Sequence, residues 1–495
     1  MHNIREGKQM TKLSWLLDGL AIEGIHGDTD IEIKGITKDS RMAAEGYMFF
    51  CTKKSASFIV QAVKRGARVV VSESEIPSVP VDCLIIASNV EGLLGTVSSR
   101  FYGMPSRDLF IAGVTGTNGK TTTTYLMESI AVGAGKQAGI IGTISYRYGG
   151  RVFPAPNTTP GAVEMHSLLN EMRTSGTELV AMEVSSHALD QKRVEGVEFN
   201  MGIFTNLTHD HLDYHETFEK YAKAKELLFS HHLKDSSKEM KWAILNMDDP
   251  AAPGFTPDTS VETIYYSTRK EANAYLLRGR ECIDGLSLEV SVMGERMSIS
   301  SSLVGRFNTS NILAACLFGY GAGFSAEAVK KGVESLHGVP GRLERVMNSK
   351  EIPVFIDYAH TPDALKKALE LLTRLKKGRL IVVFGCGGDR DTTKRPIMGS
   401  IASHLADYSI VTSDNPRGEK PGIIIDDITA GFNGGPFAVI EDRREAIYQG
   451  IKMARENDVV LIAGKGHEDY QIVGDRKFHF SDMEIAKECL DVARR

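Results

Sequence analysis

Three stretches of the chain hold residue types at spacings that can do chemistry. In LFIAGVTGTNGKTTTTYLMESI an apolar run leads into glycines and then into a helical stretch. Gly116 and Gly119 let backbone N–H groups converge on phosphate oxygens, and the start of the helix adds partial positive charge. Lys120 supplies a mobile cation for the outer phosphates, and Thr121 a hydroxyl for a magnesium ion. The spacing differs from GxxxxGK[ST]: the residue five before Gly119 is Val114, and Gly113 lies one earlier. The strand before and the helix after favour an ATP phosphate loop over a glycine turn with a chance lysine.

The second stretch, MEVSSHALDQKRVEGVEFNMGIFTNLTHDHLDYH, ends one apolar run on Glu183 and sets His209, Asp210, His211 and Asp213 just past another. Acids and imidazoles at neighbouring strand ends can hold a divalent metal beside the phosphates; the same residues can also make a solvated polar loop. Zinc is disfavoured, because no thiol accompanies them and ATP arrives with magnesium. Lys223 and Lys225 follow in YAKAKELLF, at a spacing typical of surface lysines. The third stretch, SDNPRGEKP (Ser413 to Pro421), puts Arg417 at the mouth of the apolar run YSIVT. Alone it is turn chemistry. GGDRD and AGKGHE stand in the same position after two sister runs, which turns the reading towards binding.

The elements that position these stretches are those of an α/β protein. From Leu109 the apolar runs LFIAGV, ELVAMEV, MGIFTNL and WAILNM alternate with helical stretches, the signature of a parallel sheet. Residues 263 to 304 (TIYYS, NAYLLRG, LSLEVSV, MSISSSLV) read as a small antiparallel excursion. A hinge, HGVPGRLE, precedes a second α/β series: IPVFIDYAH, RLIVVFGCGGDRD, YSIVTSDNPR and DVVLIAGKGHE. Ligands of open parallel sheets sit beyond the strand carboxyl ends, where these polar residues fall. Ahead of both series, IEIKGI, YMFFC, ARVVVSE and DCLIIAS read as short strands. Three domains are expected, over 1–105, 106–340 and 341–495.

Composition bounds the partners. The 495 residues include 24% charged and 42% hydrophobic ones, and the net charge is -5, so there is no electrostatic reason to expect nucleic-acid binding. Six scattered cysteines without a CxxC pair fit neither a disulfide framework nor a zinc cluster, and suit a reducing compartment. The start, MHNIREGKQMTKLSWLLDGL, lacks the apolar core of a signal peptide, and no window approaches the roughly 20 apolar residues of a membrane span. A cytoplasmic location without membrane insertion is expected.

The motifs GVTGTNGKTTT, NTTPG, MEVSSHALDQKRV, TNLTHDHLDYH, YAKAKELLF, GRFNTSN, GVPGRLE, DYAHTPD, GGDRD, DNPR and AGKGHE span nearly the whole chain in one order. On these the sequence resembles the Mur ligases, the ATP-dependent amino-acid-adding enzymes of peptidoglycan synthesis, and within them the diaminopimelate-adding type. The resemblance implies a three-domain α/β architecture: a UDP-binding domain, a central P-loop-type parallel sheet that binds ATP, and a C-terminal Rossmann-like domain for the amino acid. It implies that Gly116, Thr117, Asn118, Gly119, Lys120, Thr121 and Thr122 hold ATP, and that Thr121, Glu183 and His211 are magnesium ligands. It implies that Lys225 is carried as a carbamate (N6-carboxylysine), which turns a cation into an anion able to hold a second ion. Lys120, Glu183, His211 and Lys225 are then the catalytic set.

Asn157, Thr158, Thr159, Ser185, Gln191 and Arg193, with Ser40 and Lys38 in the first block, correspond to residues that grip UDP-N-acetylmuramoyl-L-alanyl-D-glutamate. Asn308 and Asn311 lie on the nucleotide side. Between YMFFC and Phe58-Ile59 the chain has only TKKSAS, shorter than in relatives, so Lys53 or Lys54 can replace a missing phosphate contact. Arg390, Asp414, Asn415, Pro416, Arg417, Gly464 and Glu468 correspond to the diaminopimelate site. There Arg417 would pair with the distal carboxylate that lysine lacks, and Glu468 with the distal ammonium. The implied substrates are that UDP-dipeptide, meso-diaminopimelate and ATP, with Mg2+ as cofactor and a monomer as the expected state. A lysine-adding or folylpolyglutamate-type ligase of the same fold, and a P-loop ATPase that switches without ligating, are the competing readings.

Overall fold

The computed structural model describes residues 11–76, 79–257, 259–348 and 352–492. The first ten residues, on which part of the reading of the N-terminus rested, lie outside these. The chain forms two compact units. The first runs to Tyr275 and includes Val292–Glu295 and Ser310–Gly332; the second takes Leu276–Ser291, Arg296–Thr309 and the chain from Val333 on.

The first unit begins with a sheet of β1 (Gly24–Gly27), β2 (Gly35–Thr37), β3 (Tyr47–Cys51), β4 (Ala67–Ser72) and β5 (Cys83–Ile86), in the order β1-β5-β4-β3-β2. IEIKGI is split, because Glu32–Ile33 pairs instead with Thr11–Lys12. The phosphate-loop strand β6 (Phe110–Thr115) then leads into α1 (Lys120–Gly133), followed by β7 (Ala138–Ile141), β8 (Ser145–Tyr148), β9 (Arg151–Pro154) and α2 (Ala162–Thr174). Next come β10 (Leu179–Glu183), β11 (Met201–Phe204), α3 (Phe218–Leu227), β12 (Trp242–Asn246) and β13 (Glu262–Ser267). Their order is β9-β8-β7-β10-β6-β11-β12-β13, parallel from β7 to β13. The chain leaves β6 towards β7 and later crosses to β11 on the other side. The carboxyl end of β6 is therefore a topological switch point, where such sheets bind ligands.

TIYYS does not belong to an antiparallel excursion. As β13 it pairs in parallel with β12, Trp242 opposite Glu262 through Asn246 opposite Tyr266. The connection over 247–261, with its short turn Ala252–Phe255, is long enough to carry the chain back to the starting end of the sheet. Ser267 and Tyr266 continue the parallel pairing to Tyr275 and Ala274.

In the second unit β14 (Val354–Asp357), α4 (Pro362–Leu375), β15 (Leu380–Phe384), α5 (Lys394–Leu405), β16 (Tyr408–Val411), α6 (Pro421–Thr429), β17 (Phe437–Val439), α7 (Arg443–Lys452), β18 (Val459–Ala463) and α8 (Asp482–Val492) alternate. The strands lie parallel in the order β14-β18-β15-β16-β17. Their apolar runs serve two faces at once. Leu380, Val382 and Phe384 pack into one core, and Ile381 and Val383 into the other. In α4 the residues Leu365, Ala368, Leu369 and Leu372 recur at helical spacing and face the first of these cores; Thr361 caps its start and Pro362 opens it. Four neighbouring strands thus deliver DYAHTPD, AGKGHE, GGDRD and DNPR to one edge of the sheet.

One ion pair ties this edge down. Arg443, which opens α7, donates from Nε and Nη2 to Asp482 Oδ1 and Oδ2 at 2.8 and 2.7 Å, and from Nη2 to the Ala463 carbonyl at 3.0 Å, with both side chains fully buried. Removing one partner strands a buried charge. Asp482→Ala should lower stability by about 3–5 kcal/mol in urea unfolding, and the joint Arg443→Met/Asp482→Leu exchange by much less. Equal losses would contradict this account.

Candidate active site

At the phosphate loop, Gly119 precedes α1 at φ +88°, and a Cβ there would collide with the Asn311 side-chain oxygen. Among the described residues no side chain caps α1, and the start of a helix is a setting that suits an anion. The loop is braced by the segment that follows the neighbouring strand β11. Thr117 N donates to the Asn206 carbonyl at 2.8 Å, Asn118 N to Asn206 Oδ1 at 2.9 Å, and Thr205 Oγ1 to the Asn118 carbonyl at 2.7 Å. Thr117 Oγ1 also lies 3.1 Å from the Tyr221 hydroxyl. Thr122 is buried.

Two amines meet at one carbonyl. Lys120 Nζ donates to the Gly116 carbonyl at 2.8 Å and to that of Thr117 at 2.9 Å, and Lys225 Nζ donates to the same Gly116 oxygen at 2.9 Å. Lys225 is 1% exposed, whereas Lys223 is on the surface. Burial, reinforced by the Lys120 charge, holds the Lys225 amine well below the usual lysine range.

Glu183, also 1% exposed, ends β10 opposite Val114 of β6. Its Oε2 accepts from Thr121 Oγ1 and Thr143 Oγ1, each at 3.1 Å, and Oε1 accepts from Thr143 N at 2.8 Å. A hydroxyl and a buried carboxylate in contact at the head of a phosphate loop are hard oxygen donors, so these residues fit magnesium. His211 sits in left-handed backbone (φ +54°), its ring edge-on to His187 at 4.9 Å. Loss of solvent lowers its pKa; Lys120 and Lys225 push the same way against Asp210. His209 instead stacks on Phe218 at 4.9 Å, and Asp210 and Asp213 are exposed.

From Glu183 a hydrogen-bonded web runs outward. Thr159 Oγ1 donates to the Glu183 carbonyl at 2.8 Å and accepts from Ser185 N at 3.1 Å, while Thr158 Oγ1 lies 3.1 Å from Thr143 Oγ1. Arg193 Nη1 donates to the Thr159 carbonyl at 3.1 Å, and its Nε and Nη2 to Gln191 Oε1 at 3.1 and 2.6 Å. Gln191 Nε2 donates to the Tyr214 hydroxyl at 3.0 Å. Asn157 is exposed, with its carbonyl on the Tyr146 hydroxyl at 2.6 Å. In the first block Lys38 is exposed, and Ser40 is buried with Oγ donating to Gln61 Oε1 at 2.7 Å. TKKSAS forms a short 3-10 turn fastened by Thr52 and Ser55, with Lys53 and Lys54 exposed.

The edge of the second unit has its own organisation. Lys465, fully buried, donates to Asn415 Oδ1 at 3.0 Å and Glu468 Oε2 at 3.1 Å and lies 3.8 Å from Asp414 Oδ1. Asn415 Nδ2 donates to Glu468 Oε2 at 2.9 Å, so both ends of the Asn415 amide are engaged within the protein. Gly464 abuts Asp414: a Cβ there would stand 2.7 Å from Oδ2. Arg417 is left-handed (φ +51°), and its Nη1 donates to the Gly388 carbonyl at 2.8 Å and to that of Asn415 at 3.4 Å. Arg390 is exposed and donates to the Asp389 carbonyl at 3.3 Å. Among the described residues neither arginine has a carboxylate partner, in contrast to Arg395 and Arg443. Gly387 occupies the gap between them: a Cβ would stand 2.9 Å from Arg417 Nη1 and 4.0 Å from Arg390 Cγ. A Cβ at Gly388 would collide with the Pro416 carbonyl.

Asn308, in the second unit, donates from Nδ2 to the Val304 carbonyl at 2.8 Å. Thr143, Tyr221, Gly387 and Lys465 escaped the sequence reading. Lys465 and Gly387 lie inside AGKGHE and GGDRD and had a signal in those motifs; Thr143 and Tyr221 are identified only by the hydroxyls they bring to Glu183 and Thr117.

Residues 114–319 match the Mur ligase middle domain, and residues 341–466 the Mur ligase glutamate ligase domain. A UDP-N-acetylmuramoyl-L-alanyl-D-glutamate–2,6-diaminopimelate ligase of Halalkalibacterium halodurans is 42% identical over 97% of this chain and 99% of its own. A solved structure of an enzyme with that same name is 31% identical, covers 98% of this chain and all of its own, and superposes with a TM-score of 0.75. The MurF ligase of Thermotoga maritima in complex with ADP, 16% identical, shares the fold over 92% of this chain and 97% of its own at a TM-score of 0.59.

The close approach at Gly388 yields a direct test. Gly388→Ala should force GGDRD and DNPR apart, raising amide hydrogen exchange over 387–390 and 414–418 and leaving 116–122 unchanged, at a stability cost of about 1–3 kcal/mol. Unchanged exchange in the two loops would refute the contact.

Proposed function

The chain belongs to the Mur ligase family, and from that premise we propose how it ligates meso-2,6-diaminopimelate to UDP-N-acetylmuramoyl-L-alanyl-D-glutamate with ATP, in peptidoglycan precursor synthesis. It is an ATP-dependent acid–amino-acid ligase. Residues 1–105 receive the UDP end through Ser40, Lys38 and the lysines of TKKSAS; residues 106–340 bind ATP and the dipeptide; residues 341–495 bind the amino acid.

A carboxylate is a poor acyl donor, because attack would have to expel oxide. ATP removes the obstacle: an oxygen of the D-Glu side-chain carboxylate bonds to the γ-phosphorus and the bond to ADP breaks, leaving an acyl phosphate. The free amine of diaminopimelate then adds to the acyl carbon, the tetrahedral intermediate expels phosphate, and the amine's proton goes to solvent. The loop N–H groups and Lys120 hold the phosphates, while Thr158, Thr159, Ser185, Gln191 and Arg193 keep the carboxylate in line. Mg2+, held by Thr121, Glu183, His211 and the Lys225 carbamate, would neutralise charge on the transferred group. The neutral Lys225 amine is the form that adds to CO2, forming the N–C bond and releasing a proton.

One observation carries the choice of amino acid: among the described residues Arg417 and Arg390 flank Gly387 without an acidic partner. Guanidinium takes a carboxylate through paired hydrogen bonds, and lysine has none to offer at its far end. A site built this way rejects the analogue that leaves its polar groups unpaired. Glu468 and Asp414, organised by Lys465, receive the distal ammonium. The lysine-adding alternative is therefore not favoured.

Purified enzyme offered diaminopimelate and lysine in parallel should consume only the first. Arg417→Ala should raise the KM for diaminopimelate by roughly 30-fold or more with the KM for ATP unchanged; equal use of lysine by the unaltered enzyme would overturn the assignment. In enzyme equilibrated with 13C-labelled CO2, a carbamate resonance should be present at neutral pH, vanish in Lys225→Arg, and fade as falling pH protonates the amine. Full activity in Lys225→Ala, with no rescue by short carboxylates, would refute the carbamate.

A further inference from the structure

Away from the phosphate loop, α3 continues into a π-helical turn, Leu228–Leu233. Such turns are rare and gather at functional positions. Here the turn carries two successive histidines, His231 and His232, next to Glu195 of the segment after Arg193. His231 Nε2 lies 3.3 Å from each Glu195 carboxylate oxygen. The donor atoms of Glu195, His231 and His232 all fall within 4.8 Å of one another, the one such group of histidine, cysteine or acidic side chains among the described residues.

We infer that Glu195, His231 and His232 form a zinc site. Two imidazoles and a carboxylate are a borderline-soft donor set suited to Zn2+, unlike the all-oxygen sets that Mg2+ takes. The surroundings match what metal-bound histidines have. Asp235 Oδ2 engages His231 Nδ1 at 2.7 Å, which leaves Nε2 as the nitrogen facing Glu195 and supplies the carboxylate–histidine–metal arrangement. His232 is buried, so its ring is held by packing, with Phe199 at 6.4 Å between ring centroids.

Glu195 is itself anchored. Its carbonyl lies 2.8 Å from His166 Nε2, and its main chain packs so tightly on Gly95 that a Cβ there would stand 2.7 Å from that carbonyl oxygen. A metal at this point would clamp the segment carrying Gln191 and Arg193 to the end of α3. The ion would take these three protein ligands with the fourth position left to water, and it is independent of the ligase reading, since none of its ligands is among the proposed catalytic or substrate residues.

The test uses the full-length protein, stripped with a chelator, loaded with Zn2+ and dialysed in excess Mg2+ to keep oxygen sites occupied. About one zinc per chain should be retained, and the thermal midpoint should rise with it. His231→Ala and Glu195→Gln, both at partly exposed positions, should abolish retention. Asp235→Asn should weaken zinc affinity about 10–100-fold. Zinc retained equally by the His231 and Glu195 variants, or no zinc retained at all, would overturn the assignment and leave an ordinary histidine–carboxylate ion pair.

Discussion

A carboxylate cannot be buried at the end of a strand unless donors surround it, and Glu183 is the point on which the first unit turns. Its oxygens draw in the hydroxyls of Thr121 and Thr143 and the Thr143 amide, and its main-chain carbonyl draws in Thr159. Those partners belong to the helix after the phosphate loop, the loop after β7 and the NTTPG segment. One desolvated charge therefore sets three segments in register. The residues proposed to hold phosphate and those proposed to hold the dipeptide are parts of one network for this reason.

The second unit solves the same problem with the opposite sign. Lys465 is a fully buried cation, and Asn415, Glu468 and Asp414 gather around it. Asn415 in turn accepts from Ile472 N at 3.0 Å, so the arrangement reaches the segment after AGKGHE. In DNPR the asparagine shapes the loop, and the arginine is the residue proposed to meet the amino acid. Arg395 and Arg443, by contrast, are consumed by Glu419, Asp427 and Asp482 and act as framework. Among the described residues, Arg417 and Arg390 differ from these two in having no acid placed beside them, which is why the proposed recognition falls to them.

The amine of Lys225 illustrates how position changes chemistry. Lys223 and Lys225 stand two residues apart on one helix, yet only the second points inward, onto the carbonyl that Lys120 already occupies. Two cations on one oxygen in a dry site are unfavourable, and burial together with the Lys120 charge lowers the proton affinity of the Lys225 amine. A neutral amine is the nucleophile that the proposed carbamate would need.

Much of the fold was legible in the residues alone. The apolar runs, their glycine endings and the helical stretches between them determine a parallel α/β sheet with the polar motifs at its strand carboxyl ends, because period and turn chemistry are local properties. Glycine loop, lysine and threonine likewise carry the proposal of a phosphate site without any tertiary information. The parallel pairing of TIYYS was not legible, since strand direction depends on how a connection packs rather than on the run itself. Nor was the burial that separates Lys225 from Lys223, the gap at Gly387 between the Arg417 and Arg390 side chains, or the meeting of Glu195 with His231 and His232. Each of these is a relation between segments distant in the chain, and only packing brings them within reach of one another.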